Sequence, residues 1–107
     1  MSIPQLSPAE LKQWLAEGKP LTLLDVREEE EVAFCALPDH THIPMNLIPL
    51  RHNELPDGEP IVVYCHHGMR SLYSAMYLAE AGFEEVYNLQ GGIDAWSQQI
   101  DPSVPRY

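Results

Sequence analysis

The segment "IVVYCHHGMRS", residues 61–71, decides the fold because it joins an apolar strand to a helix through a short loop. Residues 61–64 are apolar throughout, which is typical of a strand that is covered on both faces. Cys65 follows directly, Arg70 ends the loop, and a helix is predicted at residues 71–81. The strand therefore delivers a thiol into the loop that precedes the helix.

Strand and helix patterns alternate on both sides of this segment. Ser7 and Glu10 form a capping box around Pro8, which predicts a helix that ends near Gly18. The remaining elements are strands at residues 21–24, 42–44 and 86–89, and helices at 28–34, 46–55 and around Trp96. On the helix at residues 71–81, the side chains expected to face the sheet are Leu72, Ala75, Met76 and Ala79.

This alternation indicates the fold class. Strands that are apolar on both faces and separated by helices predict an α/β fold, with a single open, mainly parallel sheet and helices on both faces. In such sheets ligands collect at the carboxyl ends of the strands, where Cys65 lies. Residues 1–107 are expected to form a single domain, in which residues 98–107 are an irregular, proline-containing tail.

Charge and cysteine content disfavour several classes of function. Sixteen acidic residues against six basic ones give a formal net charge of -10, which opposes binding to nucleic acid and to anionic membranes. No segment is long and apolar enough to cross a bilayer, and the first residues lack the pattern of a secretory signal. Two cysteines are too few for a disulfide framework, so a reducing, cytoplasmic location is expected.

The loop after Cys65 has the composition of an anion-binding site. The amides of residues 66–71 can turn inward, and the helix start adds its free N–H groups. Gly68 allows the loop to curl, Arg70 adds a permanent cation, and Ser71 is expected to help cap the helix. Such a ring stabilises a thiolate, so Cys65 is the predicted nucleophile. The alternative is a buried cysteine that only ends a strand, since a free cysteine also behaves as a small apolar residue.

Other reactive side chains have simpler interpretations. Asp25 and Arg27, at a strand end on the same side, could support the loop, but a structural salt bridge is favoured. Cys35 is interpreted as a core residue in preference to a resolving thiol, and the acidic run at residues 28–31 as a solvated first turn of a helix. No metal site is expected, because adjacent ligands such as His66 and His67 rarely converge on one ion.

Four segments in order, "LLDVRE", "HIP", "IVVYCHHGMRS" and "YLAEAGFEEVYNLQGGIDAW", resemble the rhodanese (sulfurtransferase) domain family. The resemblance runs from about Leu6 to Trp96. The end of the chain, "GGIDAW" followed by "DPSVPRY", is similar to the rhodanese domain of ubiquitin-activating-like adenylyltransferases of the molybdopterin-synthase and thiamine type. In those proteins the domain passes sulfur to the C-terminus of a ubiquitin-like carrier.

The resemblance implies a persulfide cycle that needs no metal or organic cofactor. Cys65 would take sulfane sulfur from thiosulfate or from a protein or thiol persulfide, and pass it to a nucleophilic or activated-carboxylate acceptor. A protein sulfur donor and a ubiquitin-like sulfur carrier are candidate partners. The implied substrate-binding loop consists of His66, His67, Gly68, Met69, Arg70 and Ser71. Many family members have arginine where this chain has His66, which together with the negative charge favours a persulfide donor over thiosulfate.

Two other functions remain open from the sequence. A cysteine-dependent phosphatase or arsenate reductase also places cysteine and arginine around an anion, but with five residues between them where this chain has four. The shorter loop is expected to be too tight for a tetrahedral phosphoryl group. A non-catalytic interaction module of the rhodanese type would be expected to lose Cys65 or Arg70, and both are present.

Overall fold

The computed structural model describes residues 2–107. Its strands are β1 (Gln5–Leu6), β2 (Thr22–Asp25), β3 (Thr41–His42), β4 (Ile61–Tyr64) and β5 (Val86–Leu89). Its α-helices are α1 (Pro8–Ala16), α2 (Glu29–Phe34), α3 (Ile48–Arg51), α4 (Met69–Glu80) and α5 (Gly92–Gln99). Two 3-10 turns, Met45–Leu47 and His52–Glu54, flank α3, so the helix predicted at 46–55 is divided into three short pieces. None of the helices in this range is long and apolar enough to cross a membrane.

The strands form one parallel sheet in the order β1-β5-β4-β2-β3. Strand β4 lies at its centre, with Val62 opposite Leu23 of β2 and Tyr87 of β5. Side chains alternate across it: Val62 and Tyr64 join the apolar cluster under α1 and α5, whereas its other two join the cluster under α3 and α4. The predicted α/β fold, with one parallel sheet covered on both faces, is confirmed.

The start of α1 is formed as its capping box predicts. Ser7 Oγ accepts the Glu10 N–H at 3.1 Å, and the Glu10 carboxylate accepts the Ser7 N–H at 2.9 Å. Pro8 occupies the first turn, where a missing N–H costs nothing. The helix then packs Leu11 against the cluster that contains Trp96.

Helix α4 begins two residues earlier than predicted. Gly68, with a φ of 107°, is its N-cap, so Ser71 lies within the first turn and does not cap the helix. The face toward the sheet is also different: it consists of Ser71, Ser74, Ala75 and Leu78, whereas the predicted inward residue Met76 is exposed. The prediction was correct for Ala75 and wrong for Met76. It missed Ser71 and Ser74 because a search for apolar spacing does not detect serine.

Two parts of the chain near its ends also depart from the predictions. Strand β1, which has two residues and pairs with β5, was not predicted. Helix α5 continues to Gln99, so the irregular tail begins at residue 100 and not at 98. The tail packs along α5, where Val104 is buried and its carbonyl accepts the Ser97 hydroxyl at 2.6 Å. This path brings Tyr107 to the carboxyl end of the sheet.

Candidate active site

Cys65 lies immediately after β4, with 1% of its surface exposed. Its loop is fastened to the start of α5 by two backbone hydrogen bonds, from Ile93 N–H to Cys65 O (2.9 Å) and from Asp94 N–H to His66 O (3.1 Å). Gly92 makes this close approach possible: it has a φ of 63°, and a Cβ there would lie 2.5 Å from Cys65 O and also overlap His66 O. The backbone that carries the thiol is therefore fixed on one side by β4 and on the other by α5.

Gly92→Ala is expected to displace this loop and slow any reaction of Cys65. The methyl group would meet backbone carbonyls that cannot rotate away, and a shift of the nucleophile of about 1 Å costs about 100-fold in rate. Alkylation of the thiol by iodoacetamide, followed by mass spectrometry, measures the change. Gly58→Ala is the matched control, since Gly58 also has a positive φ (85°) but open space around its Cβ position. Equal reactivity in both variants would contradict the role of Gly92.

Three hydrogen-bond donors surround the sulfur. The Gly68 N–H lies 3.1 Å from Cys65 Sγ, the Ser71 N–H 3.4 Å and the Ser71 hydroxyl 3.3 Å. Both amides belong to the start of α4, where backbone N–H groups have no partner within the helix. Donors placed in this way stabilise negative charge on a sulfur atom that acts as a nucleophile.

Asn88 of β5 supports this loop through hydrogen bonds to Ser71 and Gly68, and this role was not predicted. Its Oδ1 lies 2.5 Å from the Ser71 hydroxyl, and its amide group donates to Gly68 O and to Gln5 Oε1, both at 3.1 Å. The single proton of Ser71 can thus serve either Asn88 or the sulfur of Cys65. Asn88 is buried in a strand that otherwise looks apolar, and this polar residue in the stretch "VYNL" was the available signal.

Arg70 does not hydrogen-bond to the sulfur; among the described residues it pairs with Glu31. Its Nη1 and Nη2 lie 2.7 Å and 2.9 Å from the two carboxylate oxygens. These hydrogen bonds lower the pKa of Glu31 from 4.5 to about 2. The pair therefore stabilises the fold above pH 4.5, and that contribution is lost as the pH falls toward 2. The interpretation of residues 28–31 as a solvated turn was wrong for Glu31.

Asp25 and Arg27 form a fully buried salt bridge next to the site. Arg27 Nη2 lies 2.7 Å from Asp25 Oδ2, and it also donates to the Cys35 carbonyl at 2.6 Å. Although burial disfavours the charged guanidinium, its hydrogen bonds to Asp25 and Tyr107 raise the pKa of Arg27. The salt bridge that the structural interpretation expects is present, and the hydrogen bond from Arg27 to Tyr107 also links the pair to the residues around the loop.

Tyr107 lies over this part of the molecule. Its ring stacks on the ring of His66, with centroids 3.7 Å apart and planes 5° from parallel. Its hydroxyl donates to Glu31 Oε2 at 2.7 Å and accepts from Arg27 Nη1 at 2.8 Å. Burial and the hydrogen bond to Glu31 raise the pKa of Tyr107 to about 12. Nothing in the local sequence around Tyr107 predicts these contacts.

His66 and His67 converge with Asp94 more closely than expected. The ligand atoms of the three side chains lie within 4.8 Å of one another, so they could in principle approach one ion. The Asp94 carboxylate, however, is paired with Arg106 at 2.9 Å, which compensates its charge. Burial and the neighbouring His67 lower the pKa of His66 from its ordinary value, which disfavours the charged form of its ring.

The remaining candidate residues lie apart from the sulfur. Met69 opens α4 and is largely exposed, beside the loop but pointing to solvent. Cys35 is buried in the apolar cluster under α1 and α5, whereas Cys65 belongs to the cluster on the opposite face of the sheet. This separation supports the interpretation of Cys35 as a core residue.

Comparison with known proteins places this geometry in a family. The profile of the Rhodanese-like domain matches residues 7–99. The chain belongs to the rhodanese-like domain family. It is 37% identical over 102 residues to a sulfurtransferase of Allochromatium vinosum, with 95% of each chain covered. Over 104 residues it is 36% identical to MoeZ of Mycobacterium tuberculosis, which is named as a probable adenylyltransferase/sulfurtransferase. That alignment covers 95% of this chain and 26% of the MoeZ protein.

The fold of the rhodanese-like domain is found in solved structures as well. The crystal structure of a rhodanese-like domain protein from Staphylococcus aureus superposes with a TM-score of 0.85 at 32% identity, covering 98% of this chain and 99% of that one. The resemblance to rhodanese domains, including those joined to adenylyltransferases, is thus confirmed. The family matches support a rhodanese-type sulfurtransferase, with sulfur transfer as its general activity.

Proposed function

We propose that this chain carries sulfane sulfur as a persulfide on Cys65, from a small or protein-bound donor to an acceptor. The observation that carries the proposal is the arrangement around the sulfur: two backbone amides and one hydroxyl of Gly68 and Ser71 lie within 3.4 Å of Sγ. Two amide N–H groups, with a hydroxyl that can turn from Asn88 to the sulfur, stabilise the negative charge of a sulfur nucleophile or of a persulfide anion. The sulfurtransferase relatives support the same reaction.

The reaction proceeds in two displacements. The Cys65 thiolate attacks the outer sulfur of the donor and forms an S–S bond. The bond between that sulfur and the rest of the donor breaks, and the rest of the donor leaves with the electron pair, as sulfite in the case of thiosulfate. An acceptor nucleophile then attacks the outer sulfur and regenerates the thiolate. The Gly68 and Ser71 amides stabilise the anion in both steps without having to reorganise. No metal or organic cofactor takes part in this scheme.

The charges around the sulfur favour a thiol or protein persulfide over thiosulfate as the donor. Arg70 is paired with Glu31, and the lowered pKa of His66 disfavours a positive charge on its ring. The net charge of -10 adds long-range repulsion of small anions. A protein donor fits this pattern. With a ubiquitin-like carrier as acceptor, the outer sulfur of the persulfide attacks the activated C-terminal carbonyl and expels the activating group. Two equivalents of thiol then release the thiocarboxylate and regenerate Cys65, and they leave as a disulfide. Two free cysteines suit a reducing compartment such as the cytoplasm.

Phosphoryl transfer, the main rival reaction, fits the site less well. A phosphatase would need the loop arginine to face a tetrahedral anion beside the cysteine, and Arg70 faces Glu31 of α2. The loop also cannot widen easily, because Cys65 O and His66 O accept hydrogen bonds from α5.

The proposed function is tested by the intact mass of the reduced protein after incubation with a donor. Thiosulfate and a protein persulfide made by a cysteine desulfurase are the two donors. The expected result is a gain of about one sulfur atom per chain, which dithiothreitol removes. A Cys35→Ala variant should show the same gain, because Cys35 is a core residue. No gain from either donor would overturn the proposed function.

A further inference from the structure

The ion pair of Arg70 and Glu31 is unusually well fixed for a pair at the rim of a site. Both guanidinium Nη atoms face both carboxylate oxygens, at 2.7 Å and 2.9 Å, and the side chains are only 34% and 19% exposed. Parallel hydrogen bonds of this kind are both strong and directional. The pair also joins α2 to α4, across 39 residues of sequence.

Glu31 is held from two further directions, which fix it before any substrate arrives. The Glu28 N–H donates to its Oε1 at 3.0 Å as part of the capping box of α2. The Tyr107 hydroxyl donates to its Oε2 at 2.7 Å. Tyr107 in turn accepts from Arg27, which is fully buried against Asp25. The carboxylate that faces Arg70 is thus anchored to the core of the protein.

Because Glu31 is anchored, it determines how much of the positive charge of Arg70 a sulfur donor at Cys65 meets. Arg70 directly precedes Ser71, whose N–H lies 3.4 Å from Cys65 Sγ, so its guanidinium is the nearest permanent cation along the chain. With Glu31 on the guanidinium, that positive charge is compensated. A donor at Cys65 is then met by amide dipoles and not by a net positive charge, which disfavours a dianion more than a monoanion.

We propose that Glu31 determines the donor specificity of the transfer reaction. By holding Arg70, it selects against dianionic sulfur donors such as thiosulfate and in favour of donors of lower charge. Glu31 is a positioning residue, since it acts through Arg70 and does not touch the sulfur. The inference rests on the proposed sulfur transfer by Cys65 and adds the class of donor.

The test compares Glu31→Gln with the wild type on two donors that deliver the same outer sulfur. Thiosulfate is a dianion and releases sulfite, whereas benzenethiosulfonate is a monoanion and releases benzenesulfinate. The glutamine can still accept the Glu28 N–H, so the helix start is preserved. Persulfide formation is followed by mass. We expect kcat/KM to rise about tenfold for thiosulfate and about threefold for benzenethiosulfonate.

Two further variants separate the release of Arg70 from a general change in charge. Glu30→Gln removes the same charge from the same helix. The Glu30 side chain is exposed, and it makes no hydrogen bond or ion pair among residues 2–107. This variant should change the rate with either donor by less than about twofold. Adding Arg70→Met to the Glu31→Gln variant should cancel the gain with thiosulfate, because the gain requires a free guanidinium.

Each outcome decides between the hypotheses. Equal gains for the two donors, a gain that persists without Arg70, or no gain at all would overturn the role of Glu31 while leaving persulfide transfer intact. If neither protein forms a persulfide with either donor or with a protein persulfide, the proposed function fails and the inference fails with it. The wild-type mass measurement separates these two cases.

Discussion

Cys65→Ser is expected to abolish sulfur transfer and to leave the fold unchanged. An alcohol cannot form a persulfide, and the serine oxygen is not appreciably ionised near neutral pH, so the rate should fall by a factor of about 10,000 or more. Cys65 is buried and receives hydrogen bonds from Gly68 and Ser71, which a serine oxygen can also accept. The free energy of unfolding should therefore change by less than about 1 kcal/mol.

The measurement pairs turnover with stability. Release of sulfite from thiosulfate, or transfer from a protein persulfide to dithiothreitol, gives the rate, and urea unfolding gives the stability. Cys35→Ser is the matched control, because it makes the same change at the other cysteine of the chain, in the core under α1 and α5. It should retain transfer. Turnover retained in Cys65→Ser would disprove the nucleophile assignment.

Arg27→Met is expected to lower the free energy of unfolding by about 3–5 kcal/mol, the largest stability effect that the structure suggests. The variant leaves the Asp25 carboxylate buried without its cation, although both side chains are fully enclosed in the native protein. It also removes the donors to the Cys35 carbonyl and the Tyr107 hydroxyl. The cost is mainly that of an uncompensated buried charge.

An exposed arginine–carboxylate pair in the same chain is the control for the buried pair. Arg51 pairs with Glu54 at a similar distance, 3.0 Å, but the side chains are 39% and 53% exposed. Arg51→Met should leave the free energy of unfolding almost unchanged, since solvent screens such pairs. Adding Asp25→Leu to Arg27→Met should recover part of the loss, because the unpaired charge is then gone. If the two single arginine variants lose similar stability in urea, the buried pair does not stabilise the fold as described.

Local sequence signals predicted the parts of the fold that depend on near neighbours. The apolar run at residues 61–64 became the central strand, and the capping box at Ser7 began α1 as expected. Both features depend on contacts within a few residues, which a single sequence displays. The same holds for the loop of Cys65, since its two amide donors lie three and six residues after the sulfur.

Contacts between distant residues were not predictable in the same way. The Arg70–Glu31 pair spans 39 residues and the Tyr107–Glu31 hydrogen bond spans 76. Several acidic residues stand next to Glu31, and nothing local distinguishes the one that faces Arg70. Asn88 was missed for a related reason: its partners belong to α4 and β1, so its role depends on the order of strands in the sheet.

The two hydrogen bonds from α5 to the carbonyls of Cys65 and His66 limit how this scaffold can acquire new chemistry. An inserted residue that widened the loop for a bulkier group would have to break these bonds or push α5 off the sheet. Gly92 leaves no space to absorb the change, because even a methyl group there overlaps the loop. Evolution toward a larger substrate would therefore require coordinated changes in two distant segments of the gene, whereas a change of donor charge requires one codon in α2.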